Sequence, residues 1–382
     1  MTNLPQWRFN FSDKWQEKTL GEVAEIQDGT HGSFKRTSEG HYLLSAKNVI
    51  DSRLIISDDE SRISDEDYQK IVANGFPVIG DILMSCVGIV GRCCILKEKN
   101  LAFQRSVAFI RAKNICTEFL LYSMQSEFVQ RQLKLMTTAS VQGGIYLNSL
   151  RKIKIKMPPL EEQKEIGEYF FQLDKSIIAQ EKELESWRLV KKSLLQKIFS
   201  RQYKFVDDAG NFYPDWQEKT LGEITDEFKS GKSLTSKDIS PQGLYPVYGG
   251  NGLRGFTDKF THEGEYVLIG RVGALCGNIH YIEGKNFVTE HAIAVKANEK
   301  NSTKFLKYLL EFMNLGQYQE STAQPVLAAG KLIELKKFFP CLEEQKKIGE
   351  YFQSLDNIIE SSEKILCGLR LMKRGLLQKL FV

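Results

Sequence analysis

LEEQKEIGEYF at residues 160–170 returns as LEEQKKIGEYF at residues 342–352. Working outward, LLQKIF (194–199) returns as LLQKLF (376–381), again 182 residues on. On the other side, WQEKTLGE (15–22) returns unchanged at 216–223, an offset of 201. Three matches in one order define an internal repeat, and the first unit is 19 residues longer between its markers. A period of roughly 190 residues is far too long for a solenoid. The chain therefore reads as variable block, constant segment, variable block, constant segment.

In the first constant segment Ile166, Phe170, Leu173, Ile177, Gln180, Leu184, Trp187, Lys191, Leu194 and Ile198 step by four and three. In the second, Ile348, Phe352, Leu355, Ile359, Ser362, Leu366, Leu369, Lys373, Leu376 and Leu380 keep the same rhythm. This is a heptad pattern, and it predicts two long coiled-coil helices. Pro158-Pro159 and Pro340 end the preceding strands, and Glu161-Glu162 and Glu343-Glu344 suit helix N-termini. One such stripe would also describe a helix packed on its own domain; two matching stripes favour mutual pairing. In a parallel pair Lys191 would meet Lys373 inside the seam. An antiparallel pair brings the basic tails (Lys191, Lys192, Lys197; Lys373, Arg374, Lys379) to the acidic starts (Glu161, Glu162, Glu165; Glu343, Glu344, Glu350). Desolvated like charges disfavour the first arrangement, so the expectation is antiparallel, with the two variable domains in inverted relation.

The variable blocks hold short β-like runs broken by glycine, FPVIGDILMSCVGIVGRCCIL (76–96) and EYVLIGRVGALCGNIHYI (265–282). Helix-like stretches follow, TEFLLYSMQSEFVQRQLKL (117–135) and TKFLKYLLEFMNLGQYQ (303–319). The blocks align weakly: Val87-Gly88 lies opposite Val272-Gly273, KNLAFQRSVAFIRA (99–112) opposite KNFVTEHAIAVKA (285–297), and Gln142 opposite Gln324. Upstream of this they share little. The expected fold class is α+β: two α+β domains separated by two long helices in an antiparallel coiled coil, with pseudo-twofold symmetry. Expected boundaries are 1–158 for the first domain, 159–200 for its helix, 201–340 for the second domain and 341–382 for its helix.

Length (382 residues), 42% hydrophobic and 26% charged content suit a globular chain. No apolar run is long enough to span a bilayer and no signal peptide is evident, so no membrane association and a cytoplasmic location are expected. Lys plus Arg number 52 against 48 Asp plus Glu, a net +4, so any DNA-binding surface must be local. Seven cysteines without a C-x-x-C suggest a reduced protein without zinc, and Cys93-Cys94 reads as core. The five histidines show no metal-ligand spacing. VGIVGR (87–92) and YGGNG (248–252) fit neither a dinucleotide fingerprint nor a P-loop and read as turns. Pro214-Asp215 and Glu283-Gly284-Lys285 could be misread as a nuclease signature, but Pro214-Asp215 abuts the repeated WQEKTLGE and Glu283-Gly284-Lys285 reads as a hairpin tip. The expected chain is not an enzyme and binds no cofactor itself.

The twin LEEQKEIGEYF and LEEQKKIGEYF segments, the twin WQEKTLGE starts and the LLQKIF and LLQKLF tails together resemble the specificity subunits of type I restriction-modification systems. The resemblance covers nearly the whole chain, though this sequence has none of the Asp/Asn-Pro-Pro-Tyr/Phe motif by which adenine methyltransferases grip a flipped base. It implies two target-recognition domains, each reading one half of an asymmetric, interrupted site on double-stranded DNA. It also implies a coiled coil that spaces the domains and helps dock two methyltransferase subunits, with restriction and motor subunits able to join. S-adenosylmethionine, ATP and Mg belong, on this reading, to the partner subunits. The rivals are a stand-alone enzyme of unknown chemistry, against which the missing motifs argue, and a structural coiled-coil protein whose two domains bind ligands other than DNA.

Reading base edges calls for Arg or Lys at guanine, Asn or Gln at adenine, and Glu at cytosine. In the first block His31, Ser33, Lys35 and Arg36 form a polar loop, Ser45, Lys47 and Asn48 follow HYLL, and Arg92 and then Gln104-Arg105-Ser106 come later, that last segment inside an otherwise apolar strand. In the second block the candidates are Tyr248, Asn251 and Arg254 in YGGNGLRGF, then Arg271, Asn278, Glu290 and His291. Glu290-His291 takes the place of Gln104-Arg105 in the aligned blocks. Taken singly, each candidate is better described as a solvated surface group or a local salt bridge; collectively, several are expected to contact DNA.

Overall fold

The computed structural model describes residues 15–73, 75–138, 143–320 and 325–381. Gln142 and Gln324, paired in the sequence alignment, lie outside the described residues. The chain forms two compact units: residues up to Glu181 with those from Lys364 onward, and Lys182–Glu363.

Both constant segments are single helices, Leu160–Phe199 and Leu342–Lys379. In the first unit the start of one meets the end of the other: Phe170 and Phe381 have ring centroids 6.1 Å apart, and Lys373 Nζ sits 2.7 Å from Asp174 Oδ1. In the second unit Phe199 stacks on Phe352 at 6.3 Å, and Lys191 Nζ sits 2.7 Å from Asp356 Oδ1. Within each unit the pairing is therefore antiparallel. Ile166, Phe170, Leu173, Ile177, Leu184, Ile198, Ile348, Phe352, Leu355 and Leu366 are buried, and Trp187, Leu194, Ile359, Leu369, Leu376 and Leu380 are half-buried. Fully burying one such side chain contributes about 1.5–3 kcal/mol. The direction agrees with expectation, but the acidic partners do not. Lys191 and Lys373 pair with Asp356 and Asp174, because Glu162 and Glu344 are taken by indole N–H groups, Trp15 Nε1 at 3.2 Å and Trp216 Nε1 at 3.0 Å.

These contacts explain why the repeated segments repeat. Gln163 Oε1 accepts Cys116 N (2.9 Å) at the start of helix Thr117–Gln125, and Gln345 Oε1 accepts Ser302 N (2.9 Å) at the start of Thr303–Met313. They satisfy N–H groups that a helix start leaves open. A Cβ at Gly167 would lie 2.9 Å from Phe119 N, and one at Gly349 would lie 3.2 Å from Phe305 N, so glycine lets each domain helix close on the long helix. Thr19 and Glu22, and Thr220 and Glu223, form matching capping pairs inside WQEKTLGE.

Each domain carries a four-stranded antiparallel sheet in the same spatial order. In the first unit it is Ala24–Asp28, Val107–Ala112, Ile82–Ser85, Cys93–Ile95; in the second, Thr225–Ser230, Ala292–Ala297, Tyr266–Gly270, Ile279–Ile282. A further sheet in each is built on a parallel pair, His41–Leu44 with Leu101–Phe103 and Tyr245–Gly249 with Lys285–Val288. The upstream stretches that share little sequence thus share this frame. Glu283-Gly284-Lys285 joins strands of two different sheets rather than capping a hairpin. The stretch 117–135 is two helices, Thr117–Gln125 and Glu127–Thr138, broken at Ser126, whose hydroxyl donates to Ser123 O. Cys93 and Cys94 are fully buried; burial pushes the Cys94 thiol up to about 12 and Cys93 well above its ordinary value, so both stay neutral core groups.

Candidate nucleic-acid interface

One edge of each main sheet gathers most of the proposed readers. In the first unit Asp28, Ser85, Cys93 and Val107 end or begin their strands at that edge. Gln104, Arg105 and Ser106 do not continue an apolar strand; they form a turn between Leu101–Phe103 in one sheet and Val107–Ala112 in the other. The turn is locked to the loop after the first strand, with Thr30 bridged to Gln104 and Arg105 N donating to Thr30 O at 3.0 Å. Gly29 is required there, since its Cβ would lie 2.2 Å from Phe103 O. Ser106 Oγ accepts Ala46 N at 3.0 Å, which draws in the Ser45–Asn48 loop.

The second unit repeats this frame. Lys232 is bridged to Thr289, Gly231 meets Val288 O at 2.3 Å from an added Cβ, and Thr289 N donates to Tyr248 O at 2.8 Å. The register corrects the sequence alignment by one residue. Cys86 N donates to Ser106 O where Arg271 N donates to His291 O, so Glu290-His291 match Arg105-Ser106 rather than Gln104-Arg105. Lys232 and Ser233 stand at this edge and were missed. A β-bulge between Thr225 and Glu227 adds a residue, so counting from WQEKTLGE falls one short of Gly231.

The candidates differ in how free they are. His31, Ser33, Lys35, Arg36, Gln104, Arg105, Asn251, Arg254, Asn278 and His291 are exposed or partly so; Ser45, Arg92, Ser106, Tyr248, Arg271 and Glu290 are half-buried. Asn48 is corrected to a structural role. It is 3% exposed, its amide donates to Ile55 O and Glu60 Oε1, and its Oδ1 accepts Ser45 N. Lys47 pairs with Glu60 at 2.9 Å, and His31 with Asp28 at 2.9 Å. Asn278 Nδ2 lies 3.0 Å from His280 Nε2. Ser233 Oγ lies 3.4 Å from Glu290 Oε1, while Glu290 Oε2 is buried without a partner among the described residues. Among the described residues, Arg36, Arg92, Arg105, Arg254 and Arg271 meet no carboxylate within 4 Å, whereas Arg53, Arg111, Arg188 and Arg370 each do. Arg92 and Arg105 in the first unit and Arg271 in the second thus bring cationic charge to these turns, as contact with a polyanion requires. No group of three His, Cys, Asp or Glu side chains among the described residues is placed to hold a metal. No helix among them is long and apolar enough to cross a membrane.

The family model for the type I restriction modification DNA specificity domain matches residues 12–186 and again 213–369. The chain belongs to this family. A relative, the type I restriction enzyme EcoprrI specificity subunit of Escherichia coli, is 38% identical over 173 residues, a match spanning 43% of this chain and 43% of that protein. The putative MjaX specificity subunit of Methanocaldococcus jannaschii is 24% identical over 381 residues, covering 92% of this chain and 89% of that one. The crystal structure of a type I restriction-modification S subunit from M. genitalium superposes with a TM-score of 0.71 at 20% identity, covering 98% of each chain, and so shares the fold. Each of the two specificity-domain matches contains one complete copy of the polar edge.

Proposed function

We propose that this chain is the DNA-binding specificity subunit of a type I restriction-modification complex, each domain reading one half of an asymmetric bipartite site. The observation that carries the reading is a matched pair of edges: one hydrogen-bonded frame, presented twice, with Gln104, Arg105 and Ser106 on one and Thr289, Glu290 and His291 on the other. Equal frames with unequal side chains are what two different half-sites call for. His31, Ser33, Lys35, Arg36, Ser45, Arg92, Tyr248, Asn251, Arg254, Arg271 and Asn278 surround these turns as further contacts to bases or phosphates.

On this reading the subunit itself is non-catalytic and works in the cytoplasm, and S-adenosylmethionine, ATP and Mg act on its partners. The paired helices set the gap between half-sites and dock two methyltransferase subunits, to which restriction and motor subunits add. Docking of two like partners is supported by exposed residues that recur on both helices: Glu161 and Glu343, Lys164 and Lys346, Gln196 and Gln378, Lys197 and Lys379. The test is co-expression with an adenine methyltransferase, followed by copurification and single-molecule methylation sequencing. An interrupted, asymmetric methylated site is expected. Copurification without any site-specific methylation or protection would favour a structural coiled-coil protein with other ligands.

A further inference from the structure

The edge that carries the polar turn also carries an aliphatic one. In the first unit the hairpin joining Ile82–Ser85 to Cys93–Ile95 leaves Val87 49% and Ile89 62% exposed. Its base is rigid: Ser85 Oγ donates to Ile89 O at 2.6 Å and accepts Arg92 N at 3.0 Å, and Gln130 Nε2 donates to Gly91 O at 3.0 Å. In the second unit the matching tip leaves Leu275 48% exposed, closed by Cys276 N to Gly273 O at 3.0 Å and Gly277 N to Gly270 O at 2.7 Å. Each tip adjoins its polar turn through one backbone hydrogen bond, Cys86 N to Ser106 O at 2.8 Å and Arg271 N to His291 O at 2.9 Å. Large aliphatic side chains are thus held in water, by a preorganised loop, beside uncompensated arginines.

We propose that these tips read thymine 5-methyl groups in the major groove, Val87 and Ile89 in one half-site and Leu275 in the other. The inference rests on the DNA-binding function proposed for this chain and names a second class of contact for the same edge. Of the groups a base pair displays in the major groove, the thymine methyl is the apolar one, and aliphatic contact is how proteins recognise it. The hydrogen-bonding turn alongside covers the polar edges. The alternative use of an exposed aliphatic tip, insertion between base steps, would unstack and kink the duplex.

The test uses the full chain with its copurified methyltransferase on the mapped site, each thymine replaced singly by uracil. At one or more positions per half-site, loss of the methyl should weaken binding roughly fourfold. Ile89→Ala should erase that sensitivity in the first half-site only, and Leu275→Ala in the second only; unchanged thermal unfolding verifies that both variants fold. Unaltered affinity for every uracil-substituted site, or undiminished uracil sensitivity in both variants, overturns the proposal while leaving site recognition intact. Enhanced 2-aminopurine fluorescence at a step beside the tip and away from the methylated adenine would also overturn it, in favour of a wedge. Absence of specific binding to the unsubstituted site would instead sink the proposed function.

Discussion

Lys191 Nζ lies 2.7 Å from Asp356 Oδ1, and Lys373 repeats the contact with Asp174 at the same distance. Each aspartate also accepts a tyrosine hydroxyl at 2.9 Å, from Tyr308 and Tyr122 respectively. Two lysines that interrupt an apolar seam are thereby turned into its orientation signal, because the antiparallel pairing brings each to an aspartate of the other helix. Burial alone would raise the Asp356 carboxyl and lower the Lys191 ammonium. The hydrogen bonds from Lys191 and Lys307 outweigh this for Asp356, and Glu311 with Asp356 outweighs it for Lys191, so the charged forms prevail.

The two lysines should not be equally replaceable. Asp356 keeps Lys307 at 2.5 Å if Lys191 is lost, whereas Asp174 keeps only the Tyr122 hydroxyl among its described contacts if Lys373 is lost. Lys373→Met should therefore cost about 3–5 kcal/mol, the usual penalty for orphaning a buried charge, and Lys191→Met distinctly less. Adding Asp174→Leu to Lys373→Met should recover most of the loss. Denaturant unfolding measures all three; equal losses from the two lysine variants would show that Lys307 does not compensate.

The helices were legible because a heptad stripe is a local signal, present in the order of Ile166, Phe170, Leu173 and Ile177 itself. The frame of the domains was not. Tyr42–Leu44 pairs in parallel with Leu101–Phe103, and Val247-Tyr248 with Phe287-Val288, through backbone groups that leave no mark on side-chain sequence. Arg105 reads as part of a strand because apolar residues continue on both sides of it, yet they belong to two sheets that meet at the turn. The misplacement of Glu290 by one residue has the same origin: backbone register, which side-chain similarity follows only loosely. Asn48 has the residue type of an adenine reader, and its burial left no trace in the sequence.

The corrected register makes Arg105 and Glu290 equivalent, so their variants should act on different half-sites. Arg105→Ala should weaken binding by about 1–3 kcal/mol and relax discrimination in the first half-site alone, and Glu290→Ala in the second alone. Binding assays on a panel of single-base variants of the mapped site read both. Asn48→Ala should lower thermal stability without changing which base is preferred. A specificity change from Asn48→Ala accompanied by none from Arg105→Ala would reverse the assignment of the edge.

Acid should loosen the second domain selectively. Burial lowers His262 below the ordinary histidine range, outweighing the Glu227 carboxylate 3.3 Å away, and burial likewise lowers His280. Folded, both stay neutral where the unfolded chain already takes protons. Their stabilisation is complete above the unfolded value of about 6.5 and is lost as pH falls below it toward the folded values. Glu227 is itself held below its ordinary value, because bonds from Lys229 and Tyr266 outweigh its burial, so it titrates well below this window. Hydrogen exchange, corrected for intrinsic rates, should rise between about pH 7.5 and 5.5 across 262–282 more than across 82–95. Combining His262→Gln with His280→Gln should flatten the difference, and its persistence would place the titration elsewhere.

The repeated exposed residues of the helices yield the most demanding expectation of the proposed docking role. Among the described residues Lys164 makes a local contact with Glu161, and Gln196 and Lys197 face water, so their replacement should leave folding almost untouched, within about 0.5 kcal/mol. If each unit offers the same face to one methyltransferase, reversing charge on one face removes one partner copy and not both. Because each face is expected to combine the start of one helix with the end of the other, Lys164→Glu and Lys379→Glu should act together within the first unit, and Lys346→Glu and Lys197→Glu within the second. Native mass spectrometry of the copurified complex should then show one methyltransferase per chain for either pair of substitutions and none for all four. Two copies retained by the quadruple variant would mean that the identical surface residues have no part in docking and that the partner grips the variable domains.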